Sequence, residues 1–157
     1  MSIQDPLLSE LQEIICARLG ERVKDYLYPP PVFTAMKGEL VALDLANGSL
    51  TARFPILESY LNPYGAMQGG MIAAAVDNTL GPLSVAVAPP NVTRTLDMKY
   101  SRTIGLEMGF IVVEARLVER SNPQLVFRAR VCDPDGRKLA TCRAVHWILA
   151  DSGEGEK

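Results

Sequence analysis

The sequence has few residues that bind metals or form disulfides. His146 is the one histidine, and the three cysteines, Cys16, Cys132 and Cys142, form no Cys-x-x-Cys pair. Because a zinc site needs about four such ligands at characteristic spacings, we expect no metal site and no metal cofactor. Because the cysteines are odd in number and have no paired spacing, we predict reduced thiols in a cytoplasmic protein.

The sequence also lacks an excess of charge of one sign. Its net charge of −2 gives no electrostatic reason to expect nucleic acid or an anionic membrane surface as a partner. The first residues, Met1 to Pro6, lack the basic start and apolar run of a signal peptide. With 48% hydrophobic and 22% charged residues, the composition is ordinary for a soluble globular protein.

One long apolar segment resembles a membrane helix in length. Between Ser59 and Thr93 the only charged residue is Asp77, and residues 71–88 are largely apolar. A membrane span of about 20 residues rarely holds a central aspartate together with a proline, here Pro82. We therefore predict a buried core helix and no membrane span.

The predicted elements form one domain at residues 1–150. Apolar residues at helical spacing predict an N-terminal helix at about 5–27, and Pro29-Pro30-Pro31 is expected to stop any helix and lead into extended chain. Alternating runs on both sides of Asn47-Gly48 predict a β-hairpin. The further predictions are hairpin strands at 38–45 and 49–56, the apolar helix at about 70–88, strands at 92–103, 107–120, 124–132 and 138–150, and a disordered tail at 151–157.

This order of elements predicts an α+β fold in which a curved antiparallel sheet wraps around the apolar helix. A helix that is apolar on nearly all sides must be covered on all sides. One antiparallel sheet offers a single apolar face, so the uncovered side of the helix and the exposed sheet edge are expected to pack against a second subunit. We therefore predict at least a dimer.

Asp77 is the residue of the apolar helix that most needs an explanation. An unpaired carboxylate in apolar surroundings is energetically expensive. One interpretation is structural: Asp77 faces a dimer interface or caps a kinked helix, where Thr79 or nearby backbone satisfies it. The other is functional, because general-base or nucleophilic catalysis uses a carboxylate held in an apolar cleft.

Gly69 and Gly70 at the start of the same helix are the second candidate feature. Their unpaired N–H groups, at the positive end of the helix dipole, could hold a carbonyl oxygen that becomes negative, although a plain tight turn is an alternative. Asp77 lies about 12 Å further along the helix axis, too far to act on the same carbonyl within one chain. If both act on one substrate, they must come from different subunits.

The region around these glycines resembles the motif of hot-dog-fold acyl-CoA thioesterases of the PaaI-like (phenylacetate-pathway) family. Residues 62–77 read NPYGAMQGGMIAAAVD. That family typically reads Asn-x-x-Gly-x-x-His-Gly-Gly, with an aspartate seven residues beyond the second glycine. The segments TLDMKYSR at 95–102 and DPDGRKLA at 133–140 are similar to its strand after the helix and its last hairpin, and the resemblance covers about residues 38–149.

The resemblance implies a role for each matching residue. Gly69 would donate its backbone N–H to the thioester carbonyl, and Asp77 of the neighbouring subunit would activate water or attack the carbonyl. Asn62 would help to place the water or the thioester, and Thr95 would be a hydrogen-bonding partner of the carboxylate. CoA would bind as part of the substrate, with no other cofactor, at the interface of a homodimer or a dimer of dimers.

Gln68 departs from the family pattern, which has a histidine at this position. A glutamine can donate or accept a hydrogen bond, but it cannot become cationic or shuttle a proton. An acyl-CoA thioesterase is the first hypothesis, and a non-catalytic acyl-CoA or lipid-metabolite binder is the alternative. A hot-dog hydratase or dehydratase fits less well, because its chemistry depends most on the missing histidine.

The remaining candidates are supporting residues of a binding site. Gly70 would let a ligand approach the helix closely, and Tyr64 and Met67 either line an acyl pocket or belong to an interface. Arg102, Arg137 and Lys138 either meet the CoA phosphates or are solvated strand ends. His146 has no carboxylate or nucleophile near it in sequence, so a satisfied strand histidine is the favoured interpretation.

Overall fold

A computed structural model of the protein describes residues 5–150, so the tail predicted at 151–157 lies outside the described residues. The helices are α1 (Pro6–Leu19), α2 (Pro31–Ala35) and α3 (Gly69–Val87), with short 3₁₀ turns at Gly20–Asp25, Glu58–Tyr60 and Leu106–Met108. The strands are β1 (Glu39–Asp44), β2 (Ser49–Pro55), β3 (Asn91–Tyr100), β4 (Phe110–Ser121), β5 (Gln124–Cys132) and β6 (Lys138–Ile148).

The N-terminal segment is a capped helix followed by a tighter turn. The Asp5 carboxylate accepts a hydrogen bond from the Leu7 N–H at 3.0 Å, and Pro6 occupies the first turn, where a missing N–H has no consequence. The helix ends at Leu19, before Gly20 with a φ of 55°, and continues as 3₁₀ turns to Asp25. The prediction of one helix to residue 27 is therefore correct for its first part only.

The proline run does not lead into extended chain as predicted. Pro31 is the first residue of α2, where its fixed φ suits a helix and its missing N–H removes no bond. This short helix places Phe33 in the core, edge-on to Phe54 with ring centroids 5.6 Å apart. The run therefore starts a helix, and α1 has already ended at Leu19.

The six strands form one curved antiparallel sheet in the order β1-β2-β4-β5-β6-β3. The predicted hairpin is present, with Asp44 opposite Ser49 and a turn in which the Gly48 N–H donates to the Leu45 carbonyl. Strands β1 and β3 are the two edges of the sheet. Among residues 5–150, β3 pairs with β6 alone, so its other edge has no strand partner in this part of the chain.

Helix α3 lies in the concave face of the sheet, as predicted. Its buried side packs against β4, β3 and β2, and α1 covers part of it. Within residues 5–150 it is the one helix long and apolar enough to cross a membrane, and 56% of its most apolar window is buried in the protomer, as in a core helix. Gly70 and Asp77 lie on its exposed side.

Candidate active site

Asp77 is at the wall of an open cleft of about 390 Å³. Its side chain is exposed in the protomer, and its Oδ1 accepts a hydrogen bond from the Thr93 hydroxyl at 3.2 Å. The opposite wall comes from the N-terminal segment, with Tyr26, Pro31 and Val32. The carboxylate is therefore accessible to a ligand, and it is not buried in the protomer as the sequence led us to expect.

Thr93, rather than Thr95, is the threonine beside the carboxylate. Strand β3 is irregular between these two residues, because Thr93 is opposite His146 whereas Thr95 is opposite Val145. The extra residue, Arg94, places Thr93 and Thr95 on opposite faces of the sheet. In a regular strand the two threonines would share one face, so sequence reasoning could not choose between them.

His146 completes a chain of polar contacts behind Asp77. Its ring is 1% exposed, its Nδ1 lies 2.9 Å from Asn91 Oδ1, and its Nε2 lies 3.4 Å from Thr93 Oγ1. Burial lowers the pKa of His146, and the charge of Asp77 opposes that shift. Sequence reasoning missed this contact because His146 is separated from Asp77 by the whole of strands β3 to β5.

The start of α3 presents free backbone donors, as predicted. The N–H groups of Gly69 and Gly70 have no acceptor within the described part of the chain. A β-carbon on Gly69 would lie 3.3 Å from the Tyr100 ring, whose hydroxyl donates to the Gly69 carbonyl at 2.8 Å. By contrast, nothing lies within 4 Å of a β-carbon built on Gly70, so the protomer leaves this position open.

Asn62 organises the loop before α3. Its Oδ1 accepts hydrogen bonds from the N–H groups of Tyr64 at 2.9 Å and Ala66 at 3.1 Å, and its own N–H donates to the Ala66 carbonyl. Gln68 is the N-cap residue of α3, but its exposed side chain makes no capping hydrogen bond. Because the loop uses the side-chain oxygen of Asn62, the side-chain nitrogen is the atom that remains available to a ligand.

A second cleft, of about 330 Å³, lies at this end of the helix. It is lined by Asn62, Met67, Gly69 and Arg102, together with Tyr100. The predicted pocket residue Tyr64 is 95% exposed and does not line it. Asp77 does not line it either, so the two halves of the predicted site occupy separate clefts of the protomer.

The three basic candidates meet at one corner near the second cleft. The N–H of Arg102 donates to the Leu139 carbonyl at 3.1 Å, which places Arg102 beside the start of β6. Arg137 and Lys138 immediately precede Leu139, and all three basic side chains are exposed. No group of three or more His, Cys, Asp or Glu side chains suited to a metal ion occurs among residues 5–150.

The fold is shared with solved thioesterase structures, although no protein-family model and no curated protein matches the chain. A candidate thioesterase of Ralstonia eutropha JMP134, a phenylacetic acid degradation-related protein, is 26% identical, with a TM-score of 0.73 over 86% of this chain and 98% of that chain. The E. coli PaaI protein of the phenylacetic acid degradation operon is 11% identical, with a TM-score of 0.73 over 89% and 96%.

A Streptococcus mutans UA159 protein solved with acetyl-CoA is 20% identical, with a TM-score of 0.70 over 80% of this chain and 97% of that chain. These similarities confirm the predicted α+β hot-dog fold, and the structural neighbours are PaaI-like proteins, as the sequence motif indicated.

Proposed function

We propose that the protein is an acyl-CoA thioesterase whose active site forms between two subunits. The observation that carries this proposal is the separation of its two halves: Gly69, with a free helix N–H, lines one cleft and an accessible carboxylate lines the other. Thioester hydrolysis requires both, a donor for the developing oxyanion and a base for the attacking water.

The geometry of α3 favours a symmetric pairing. Gly70 and Asp77 are seven residues apart, which places them on the same face of the helix about 10 Å apart along its axis. A two-fold axis crossing α3 between them, near Ala73 and Ala74, would bring each Gly70 to the partner's carboxylate. Small side chains at that point let the two helices approach closely, and the open edge of β3 offers a continuous surface for pairing.

The reaction then needs only groups that the two chains supply. A water molecule attacks the thioester carbonyl carbon while Asp77 accepts one of its protons. The N–H groups of Gly69 and Gly70 stabilise the oxyanion, and cleavage of the carbon–sulfur bond releases the CoA thiolate, which takes up a proton. Because a thiolate is a good leaving group, Gln68 in place of histidine is compatible with turnover.

The basic corner suits the phosphates of CoA. Arg102, Arg137 and Lys138 are exposed beside the cleft that contains Gly69, so the thioester and the nucleotide can be held at the same time. The structural neighbour bound to acetyl-CoA supports a CoA ester as the ligand class.

The test is hydrolysis of a panel of acyl-CoAs, measured as release of the CoA thiol. Asp77→Asn should lower turnover by about 10²–10⁴-fold, because it removes the base. Asp44→Asn, at the end of β1 and outside the lining of both clefts, is the matched control and should retain wild-type turnover. Unchanged hydrolysis by Asp77→Asn would rule out this mechanism.

A non-catalytic acyl-CoA binder is the second candidate, and Gln68 is the observation that favours it. This side chain is exposed and makes no capping hydrogen bond. It therefore has no structural role in the protomer that would explain why glutamine stands here in place of histidine. Saturable binding of acyl-CoA without thiol release from any member of the panel would support the binder. Gain of hydrolysis in Gln68→His would then indicate a lost enzyme.

A further inference from the structure

The mechanism above does not use His146, although this buried ring is the one imidazole of the protein and contacts the hydroxyl that binds Asp77. The side chains of Asp77, Thr93, His146 and Asn91 form a continuous chain from the cleft into the core. The number of hydrogens available to this chain determines what it can do.

The orientation of Asn91 determines which ring nitrogen carries the hydrogen. Its Nδ2 donates to the carbonyls of Ser84 at 3.2 Å and Pro89 at 2.9 Å, so its Oδ1 faces His146 and can only accept. The Nδ1 atom of His146 must therefore be the donor. In a neutral ring Nε2 is then without hydrogen and faces Thr93 Oγ1 as an acceptor.

Thr93 has one hydroxyl hydrogen for two acceptors, Asp77 Oδ1 and His146 Nε2. With a neutral ring, one acceptor is left without a hydrogen. With a protonated ring, Nε2–H donates to Thr93 and Thr93 donates to Asp77, so that every group in the chain is satisfied. The arrangement thus suits the state in which Asp77 is ionised and His146 has received one additional proton.

We propose that Thr93 and His146 are positioning residues that accept, through the threonine hydroxyl, the proton that Asp77 takes from water. This inference rests on the proposed function for its catalytic consequence. The side chains of His146 and Thr93 lie within one protomer, so the site would have an internal histidine in place of the one missing at position 68.

The proton transfer balances without any further reactant. Water loses a proton to Asp77, the Asp77 carboxyl passes a proton to Thr93 Oγ1, and the threonine hydrogen moves to His146 Nε2. Asp77 is again a carboxylate, beside an imidazolium. The imidazolium then returns its proton along the same path, through Thr93 and Asp77, to the departing thiolate or to solvent, which leaves a neutral ring.

Few other groups face His146. Asp77 on α3 is the charged side chain that acts on its pKa, Tyr26 of the N-terminal segment lines the same cleft, and Phe127 on β5 packs against the ring with centroids 4.8 Å apart. Burial lowers the pKa of the ring, so His146 is neutral near pH 7, and the charge of Asp77, which opposes that shift, is the interaction that favours the imidazolium.

The first experiment uses the single histidine as its own probe. Imidazole NMR of the wild-type protein should show one ring in the Nδ1–H tautomer, and its pKa should fall in Asp77→Asn because the nearby negative charge is lost. A ring in the Nε2–H tautomer, or a pKa that is the same in Asp77→Asn, would overturn the inference. This readout does not depend on activity.

The second experiment measures the pH dependence of kcat/KM for acyl-CoA hydrolysis. Thr93→Val should lower kcat/KM at least about tenfold and shift its acidic limb, whereas Thr93→Ser keeps the hydroxyl and should behave like wild type. His146→Gln should cause the same loss as Thr93→Val, and the double variant should lose no more than either single variant. Phe127→Leu controls for packing around the ring, and it should leave the acidic limb unchanged.

Two results separate this inference from the proposed function. If the wild-type protein hydrolyses acyl-CoA but Thr93→Val retains both its rate and its acidic limb, the inference is wrong and the thioesterase stands. If no acyl-CoA is hydrolysed but the pKa of His146 measured by NMR falls in Asp77→Asn, the hydrogen-bonded chain is supported and the proposed thioesterase activity is wrong.

Discussion

At the scale of single residues, Asn62 and Gly70 allow the stability of the protomer to be distinguished from the activity of the proposed site. The oxygen of the Asn62 side chain holds the loop before α3, and its nitrogen has no partner among the described residues. Gly70 has open space around it, so no contact in the protomer requires a glycine there. Both residues therefore allow stability and function to be tested independently.

Asn62→Asp should reduce activity while preserving the fold. An aspartate keeps the oxygen that accepts from Tyr64 and Ala66, but it loses the free NH₂ donor. We expect the free energy of unfolding in urea to change by less than about 1 kcal/mol. Asn62→Ala should lose about 1–2 kcal/mol, mainly because the partly buried Ala66 N–H loses its side-chain acceptor. Wild-type turnover in Asn62→Asp would show that the side chain acts only on the loop.

Gly70→Ala should have opposite effects on stability and activity. Replacing a helical glycine by alanine stabilises a helix by roughly 0.5–1 kcal/mol when the site has room. The added methyl group would occupy the space where we expect the thioester to bind, so kcat/KM for acyl-CoA hydrolysis should fall. Thermal unfolding and kinetics on the same sample measure both effects, and an unaffected kcat/KM would mean that no substrate approaches this glycine.

At the scale of elements, the packing of β3, β6 and α3 around His146 should make stability depend on pH. The pKa of His146 in the folded state is below its ordinary value of 6.5, so the unfolded chain binds a proton more readily. The stabilisation due to a neutral His146 is complete above pH 6.5 and is lost as the pH falls through the folded-state pKa.

His146→Gln should flatten this pH dependence below pH 6.5. Urea unfolding at several pH values, compared with wild type, isolates the contribution of the ring because the carboxylates are common to both proteins. Equal slopes for the two proteins in this window would show that His146 is not held neutral in the folded state.

The elements that could be predicted from the sequence are those with a strong local pattern. The alternating runs gave β4, β5 and β6 within three residues at each end, and the apolar run gave α3 within one residue. Helix α2 was missed because a proline run was taken only as a helix stop, although proline also suits the first helical turn. The Thr93–His146 contact was missed because it depends on the register of β3 against β6 and on the irregularity at Arg94.

At the scale of the whole molecule, one chain does not bring the two halves of the proposed active site together. Gly69, at the start of α3, and Asp77 line different clefts of one chain. Within the described part of the chain, Gly70 and Asp77 are exposed on α3, and the edge of β3 away from β6 has no strand partner. These two unpartnered surfaces are where a second copy is expected to pack, so we expect a dimer or larger assembly by analytical ultracentrifugation.

The most direct test of a shared site is complementation between two inactive variants. Asp77→Asn removes the carboxylate, and Gly70→Val blocks the approach to the N–H groups without a clash in the protomer. In a mixed dimer, one site carries both defects and the other carries neither. Equal co-expression should therefore restore about one quarter of wild-type acyl-CoA hydrolysis, whereas Asp77→Asn co-expressed with Asp77→Ala should restore none. Mixed dimers that form but remain inactive would contradict the shared site.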